Sequence, residues 1–551
     1  MPGPKLRMTW PKLSSTWIIP TFSALAALAI GLVQFRRGIV PLLDTVTYWS
    51  GAEAVARGDL FSTTLAPSFS NFSAIDFLER GGSLPFVDFP IGYPLLAGIL
   101  GSVMDVRTAM QILVLVALMA VAVGVATGYR RNNSLFSALT LGGVGVLVIL
   151  SPAMRLVTQG ALSEPLFGAA VLWLVISLAR YRQGGSWTTV AVLSVTASLL
   201  RFLGAPLAVL AGWERYRRTG QKFRSAVWTG ALMAPAAINI VLASRAGGGH
   251  SAGWRGIDRL DVETLVRSIG GWFDARQGDI RRTYFTTDGP SWWAWPLTVI
   301  WIALIVLALL RVFSAALPDN TRISRRTSWI RRRHFPAVSE LALSAAGIMT
   351  MGLLAGILGF DALVIADNRL MLPSGILTLS AGIWWVASRP TLSAMASPRD
   401  MTAVGLAILM WTFGAIRPWQ ATEMFSDQQG DTPLVRKIAE IYTEGADDIA
   451  VVISNDADAV HWGTGAPTAY TPMPVKPLSG ERVDEVPLYR SLPCALQRSR
   501  GIVVTSKQAT FSSANRQLLD EEVSRGTLTA QSDEFTIVYR PTSTACVSQT
   551  D

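Results

Sequence analysis

Long apolar runs, separated by short polar and mostly basic segments, organise the chain up to residue 417. They fall near 17–34, 108–129, 135–151, 162–180, 187–203, 204–213, 225–246, 292–312, 338–359, 370–387 and 401–416. Many approach the roughly 20 residues that a helix needs to cross a bilayer. The pattern predicts a polytopic α-helical membrane protein with about eleven crossings. Residues 187–213 read either as two short helices or as one long helix broken around Gly204.

After Pro418 the pattern changes. "IAVVISND" and "RGIVVTSK" read as buried strands, "DTPLVRKIAEIYTEGA" and "SSANRQLLDEEVSRG" read as amphipathic helices, and "EFTIVYRP" ends the pattern. Two domains are therefore expected: a membrane module over 1–417 and a small α/β domain over 418–551.

Basic residues set the orientation, because cytoplasmic loops carry the excess of Lys and Arg. Lys5, Arg7 and Lys12 precede the first run, and "FRRG" follows it with no small-residue cleavage site. The first run thus reads as an uncleaved helix with its N-terminus inside. "YRRNN", "ARYRQ", "WERYRRTGQKFR", "RISRRTSWIRRRH" and "RPTLSAMASPRD" then all face the cytoplasm, and the tail falls outside. "FPIGYPLLAGILGSVM" (89–104) is apolar but short, with Pro90 and Pro94 in its first turns. Counting it as a crossing would put "YRRNN" and "ARYRQ" outside, so it reads as a helix along the outer interface. Residues 35–107 form the first extracytoplasmic loop.

Composition narrows the function. Only 16% of residues are charged and the mean hydropathy is +0.37, against about a quarter charged in soluble domains. The net charge of +10 sits in clusters between apolar runs. That is an anchoring pattern on anionic lipid, and no nucleic-acid partner is expected. Trp292 and Trp293 suit an interfacial belt.

Asp44, Tyr48 and Glu53 follow the first run with helix-like spacing. They read as the wet side of an interfacial helix, or as a carboxylate held at the membrane surface for general-base work. Glu164 and Arg155 flank "SPAMRLVTQGALSEP", where Ser163 and Glu164 would cap the next helix or touch a ligand. "NDAD" (Asp456, Asp458) reads as a solvated turn. His250, His334 and His461 lie far apart in sequence, so no metal site and no cofactor are expected. Cys494 and Cys546 are the only cysteines. They form a disulfide if the tail is outside, or remain two buried thiols.

Four segments resemble the GT-C glycosyltransferases, polytopic enzymes that use polyprenyl-phosphate-linked sugars and include protein O-mannosyltransferases and lipid A aminoarabinose transferases. They are "DTVTYWSGAEAVARGD", "FPIGYPLLAGILG" with Arg107 opening the next crossing, "SLLRFLGAPL" and "DNRLMLPSGIL". Together they cover residues 1 to about 390, with Leu370 where the family usually has Tyr.

The resemblance implies an inverting sugar transfer outside the bacterial plasma membrane. The donor would be a polyprenyl-phosphate-linked sugar, and the acceptor a cell-envelope glycan, lipid or protein. It implies Asp44 as general base, with Arg201 and Arg369 facing the leaving phosphate. An arginine inside a membrane segment is costly, and Arg201 also reads as a structural ion pair. Tyr48, Glu53, Asp88, Tyr93, Arg155 and Glu164 are expected around the pocket. A transporter or flippase of lipid-linked sugars is the alternative, but no internal repeat supports it. A scaffold presenting the tail would leave Arg201 unexplained.

Overall fold

The computed structural model describes residues 15–36, 38–60, 62–66, 73–86, 89–128, 135–246, 303, 306, 336–359, 368–388, 433–445, 449–471, 485–507 and 513–546. The basic loop 315–335, the Trp292–Trp293 pair, His250, His334 and the run at 401–416 lie outside these residues, as does 292–312 apart from Ala303 and Val306.

The first helices are α1 (Ser15–Gln34), α2 (Leu43–Ala56), α3 (Ala74–Glu79), α4 (Gly92–Gly101) and α5 (Val106–Thr127). They are followed by α6 (Leu135–Ile149), α7 (Pro152–Gln159), α8 (Glu164–Arg182), α9 (Trp187–Leu200), α10 (Leu207–Thr219) and α11 (Lys222–Ala246). Two more apolar helices are described, α12 (Ala337–Gly359) and α13 (Asn368–Ala387). Among the described residues, Val106–Thr127, Glu164–Arg182 and Lys222–Leu242 are long and apolar enough to cross a membrane. Shorter apolar helices include Ile18–Gln34, Trp187–Leu200 and Ala337–Leu353.

Helix α8 is the hub, packing against α5, α9, α12 and α13. Its residues are buried almost from end to end, Glu164 and Tyr181 included. Around it the outer helices leave apolar side chains uncovered, such as Phe22 on α1, Val116 on α5, Val192 on α9 and Ile238 on α11. Such apolar surface is what hydrocarbon, rather than water, would cover.

Three local readings are decided here. Residues 187–213 form two helices, because Arg201 adopts extended backbone (φ −153°, ψ 142°) and a 3-10 turn, Phe202–Gly204, follows. The segment 152–161 is more than a turn, since Pro152 opens α7 and Ser151 Oγ caps it by accepting from Met154 N at 3.3 Å. Helix α4 has ten residues, about 15 Å at 1.5 Å per residue and half of a ~30 Å hydrocarbon layer. It lies on α2 so closely that a Cβ on Gly98 would come 2.5 Å from Ala52 O.

The tail contains α14 (Pro433–Gly445), α15 (Ala457–Thr464), α16 (Glu485–Ser499) and α17 (Ser513–Ser524). Its strands are β4 (Val451–Ser454), β5 (Thr468–Tyr470), β6 (Gly501–Ser506), β7 (Leu528–Ser532) and β8 (Thr536–Pro541). The first loop supplies β1 (Ser62–Thr63), β2 (Leu65–Ala66) and β3 (Leu84–Pro85).

The six-stranded sheet runs β2-β5-β4-β6-β8-β7. Its edge strand comes from the first loop: Leu65 pairs with Thr468 and Ala66 with Ala469, in parallel. Helix α3 follows it, and Phe77 and Leu78 enter the same apolar cluster as Leu492, Leu496, Val503 and Tyr539. Loop and tail are thus joined by backbone pairing and by a shared core. Cys494 and Cys546 are disulfide-bonded, tying α16 to the segment after β8.

Candidate functional site

The site grows from the turn between α7 and α8. Ala161 sits in the left-handed region at φ 46°, which costs a residue with a Cβ on the order of 1 kcal/mol. Side chains of the first loop hold this turn. Thr45 Oγ1 donates to Gly160 O at 2.6 Å, and Tyr93 Oη donates to Ala161 O at 2.6 Å. Tyr48 Oη and Ser163 Oγ share a hydrogen bond of 3.0 Å.

Arg201 reaches the same turn from the break between α9 and α10. Its Nε donates to Ser163 Oγ at 3.1 Å, and its Nη2 meets Glu164 Oε1 at 2.6 Å. Arg201 makes these contacts from extended backbone at the break. Glycine helps the approach, since a Cβ on Gly92 would lie 2.6 Å from Leu199 O. The start of α4 is therefore pressed against the end of α9.

Tyr48 is at the centre and fully buried, with Phe89 and Tyr93 packed on its ring at 4.9 and 5.2 Å. Burial pushes its hydroxyl to higher pKa, opposed by Arg201 and reinforced by Glu164 and Asp44. Asp44 lies one turn earlier on α2. Burial raises Tyr93 likewise, with Tyr48 and Glu164 adding to it.

No family model matches the chain, and no curated protein does. Solved structures do match. The chain is similar to ArnT from Cupriavidus metallidurans bound to undecaprenyl phosphate, at 10% identity and a TM-score of 0.41, over 97% of this chain and 99% of that one. The apo state of ArnT gives 11% identity and a TM-score of 0.41, over 95% and 97% of the two chains. The archaeal oligosaccharyltransferase AglB from Archaeoglobus fulgidus, in complex with an inhibitory peptide and a dolichol-phosphate, gives 11% identity and a TM-score of 0.47. That match covers 97% of this chain and 75% of that one.

The structure gathers Tyr48, Tyr93, Glu164 and Arg201 around one turn, and Asp44 precedes Thr45, which also holds it, on α2. Glu53 is elsewhere: five residues beyond Tyr48 it has rotated ~140° around the helix. It pairs with Arg57 at 3.5 Å, and burial raises its pKa against the pull of Arg57 and Arg107. Arg155 lies half-buried on α7. Arg369 is the second residue of α13, its side chain outside the described residues, and Asp88 also lies outside them.

Two sequence readings need correction. Ser163 makes no cap bond to α8; its hydroxyl is held by Tyr48 and Arg201 instead. Nor is "NDAD" a solvated turn. Asp458 lies on α15, accepts from Tyr470 Oη at 2.8 Å through Oδ2, and has its Oδ1 buried. Sequence reasoning also missed Thr45 as a turn-holder, because a small hydroxyl residue carries no distinguishing pattern. Among the described residues, no group of three His, Cys, Asp or Glu is placed to hold a metal ion.

Proposed function

We propose that the chain is a membrane glycosyltransferase that moves a sugar from a polyprenyl-phosphate donor to a cell-envelope glycan, lipid or protein. In this step the acceptor oxygen bonds to the anomeric carbon from the face opposite the phosphate, and the carbon–phosphate oxygen bond breaks. Asp44 takes the acceptor's proton, and polyprenyl phosphate leaves with the bonding pair. Arg201 and Arg369 offset the charge that develops on it. Tyr48, Tyr93, Glu164 and Ser163 hold Arg201 and the α7–α8 turn in register with the base.

One observation supports this reading. Arg201 donates to the same Ser163 hydroxyl that Tyr48 bonds, so a guanidinium stands at the turn held by the helix that carries Asp44, 157 positions away in sequence. An acid for deprotonation and a cation for a leaving phosphate are the two groups the reaction needs. The motif resemblance supplies the substrate class. The basic clusters supply the side: cytoplasmic N-terminus and extracytoplasmic tail in a bacterial plasma membrane.

The test uses purified full-length protein and undecaprenyl-phosphate-linked hexoses and pentoses, with cell-envelope extract as acceptor. Asp44→Asn keeps the shape and removes the base, so transfer should fall at least ~10²-fold. Native mass spectrometry should still find polyprenyl phosphate on the variant. Normal transfer by Asp44→Asn overturns the assignment of the base. A reporter active only in the cytoplasm, fused after Asp551, should stay silent.

A further inference from the structure

At the end of α8 far from Ser163, the ends of α8 and α10 meet the starts of α9 and α11. Helix α8 spans 19 residues, about 28 Å at 1.5 Å per residue. This end therefore lies roughly one hydrocarbon thickness (~30 Å) from the α7–α8 turn. Gly184, at φ 106°, bends the chain from α8 into α9, and Gly220, at φ 69°, ends α10 just before Lys222 opens α11. Arg218 ties the first turn to α10: its Nη1 donates to Tyr181 O at 2.9 Å and to Gly185 O at 3.0 Å.

Arg215, on α10, sits within this junction. Its guanidinium carbon stands 4.7 Å from the ring centre of Trp187 and 5.3 Å from that of Trp228, and the two indoles meet edge to face at 5.9 Å. A guanidinium held between two rings has little rotamer freedom left to lose when it takes a ligand. Its Nε is buried with no hydrogen-bond partner among the described residues, and so is Trp187 Nε1. Buried donors of this kind are costly unless something accepts from them. The neighbouring acid does not, because Glu214 is buried and serves Arg182 at 2.7 Å and Arg217 at 3.3 Å. Around the junction Arg180, Arg218, Lys222 and Arg224 are exposed. Phe223 is 81% exposed and Trp228 38%. Cations beside uncovered aromatic rings suit the boundary between headgroups and acyl chains.

We propose that Arg215, fixed between Trp187 and Trp228, binds the phosphate of an anionic phospholipid at the membrane face opposite the α7–α8 turn. A guanidinium fork matches two phosphate oxygens at once, which a point charge does not. The exposed cations around it favour a lipid with net negative charge over a zwitterionic one. Phe223 and Trp228 offer apolar surface to its acyl chains, which free inorganic phosphate cannot use. None of these residues belongs to the site proposed for sugar transfer, so the two proposals stand or fall separately.

Native mass spectrometry of the full-length protein in neutral detergent tests this, with phosphatidylglycerol and phosphatidylcholine of matched acyl chains as probes. The wild type should retain phosphatidylglycerol about tenfold better than phosphatidylcholine, and Arg215→Ala should lose that preference. Arg215→Lys keeps the charge and loses the fork, so it should fall well short of wild type; it carries the test if the alanine variant does not fold. Lys222→Gln combined with Arg224→Gln removes exposed charge and leaves the fork, so it should lose less than Arg215→Lys. Unfolding temperatures without added lipid show which variants are folded. Full preference in folded Arg215→Lys overturns the proposal, and so does a larger loss in the glutamine pair, which would assign retention to diffuse surface charge. Equal retention of the two lipids, or displacement of phosphatidylglycerol by millimolar inorganic phosphate, overturns the anionic lipid as the occupant.

Discussion

Arg201 and Glu164 form a buried ion pair, Nη2 to Oε1 at 2.6 Å, with the glutamate side chain only 1% exposed. Each is expensive alone in that setting. Arg201→Ala should cost about 3–5 kcal/mol by leaving the carboxylate buried and unpaired. Arg201→Lys should recover part of this, since one ammonium cannot serve Ser163 and Glu164 with the same fork. The double variant Arg201→Met with Glu164→Leu separates structure from chemistry. Thermal unfolding should return toward wild type in the double variant, while sugar transfer should stay lost. Transfer restored with stability would assign the pair to folding alone.

Arg107 stands over Trp49 of α2 and Trp462 of α15, and this clamp predicts how the tail is held. Each guanidinium–indole contact is worth about 0.5–2 kcal/mol, and Arg107 makes two of them besides its bond to Trp462 O. Arg107→Ala should loosen α15 from α2 and speed limited proteolysis within the tail several-fold. Arg107→Lys should fall between, because an ammonium stacks less well on two rings. Cleavage at the wild-type rate would show that β2 and α3 suffice.

The disulfide closes a long loop. With Cys494 and Cys546 separated by 52 positions in sequence, the chain-entropy relation assigns the bridge about 4 kcal/mol of tail stability. Thiol labelling of the unreduced, denatured protein should find neither cysteine reactive. Reduction, or the paired serine variant, should lower the unfolding temperature of the tail.

His461 and Asp458 oppose one another with pH. Burial pushes His461 down to about 4, against an unfolded value near 6.5. The unfolded chain therefore binds more protons between these values, and this contribution to stability is lost as pH falls through the window. Asp458 is raised to about 7, so the folded chain binds the extra proton there and its contribution is lost as pH rises from 4 to 7. Over pH 4 to 6.5 the two should largely cancel. Asp458→Asn should uncover a Tm that climbs with pH across that range, and His461→Gln should uncover the reverse slope. Parallel slopes in the two variants would show that neither group titrates this way.

Much of this protein is legible in its sequence because the relevant physics is local. Apolar runs of helical length mark α5, α8 and α11, and Pro residues with ten helical positions keep α4 short. The alternation of apolar strands and amphipathic helices marks β4, β6, α14 and α17 in the tail. Asp44, Tyr48, Tyr93, Glu164 and Arg201 stand out singly, since polar groups inside or beside apolar runs are conspicuous by their cost.

What brings them together is not local. The turn at Ala161 is held by Thr45 and Tyr93 from residues far away in sequence. A two-residue strand such as β2 carries no periodicity of its own, so only pairing with β5 reveals it. Asp458 reads as a polar turn residue until α15 docks on α2, because burial of a carboxyl is a property of the surfaces that meet around it. The sequence by itself determined the long apolar helices, the strands β4 and β6 with the amphipathic helices α14 and α17, and which charges are unusual. The tertiary structure decided which of those charges face each other, since that depends on long-range packing between loop, helix hub and tail.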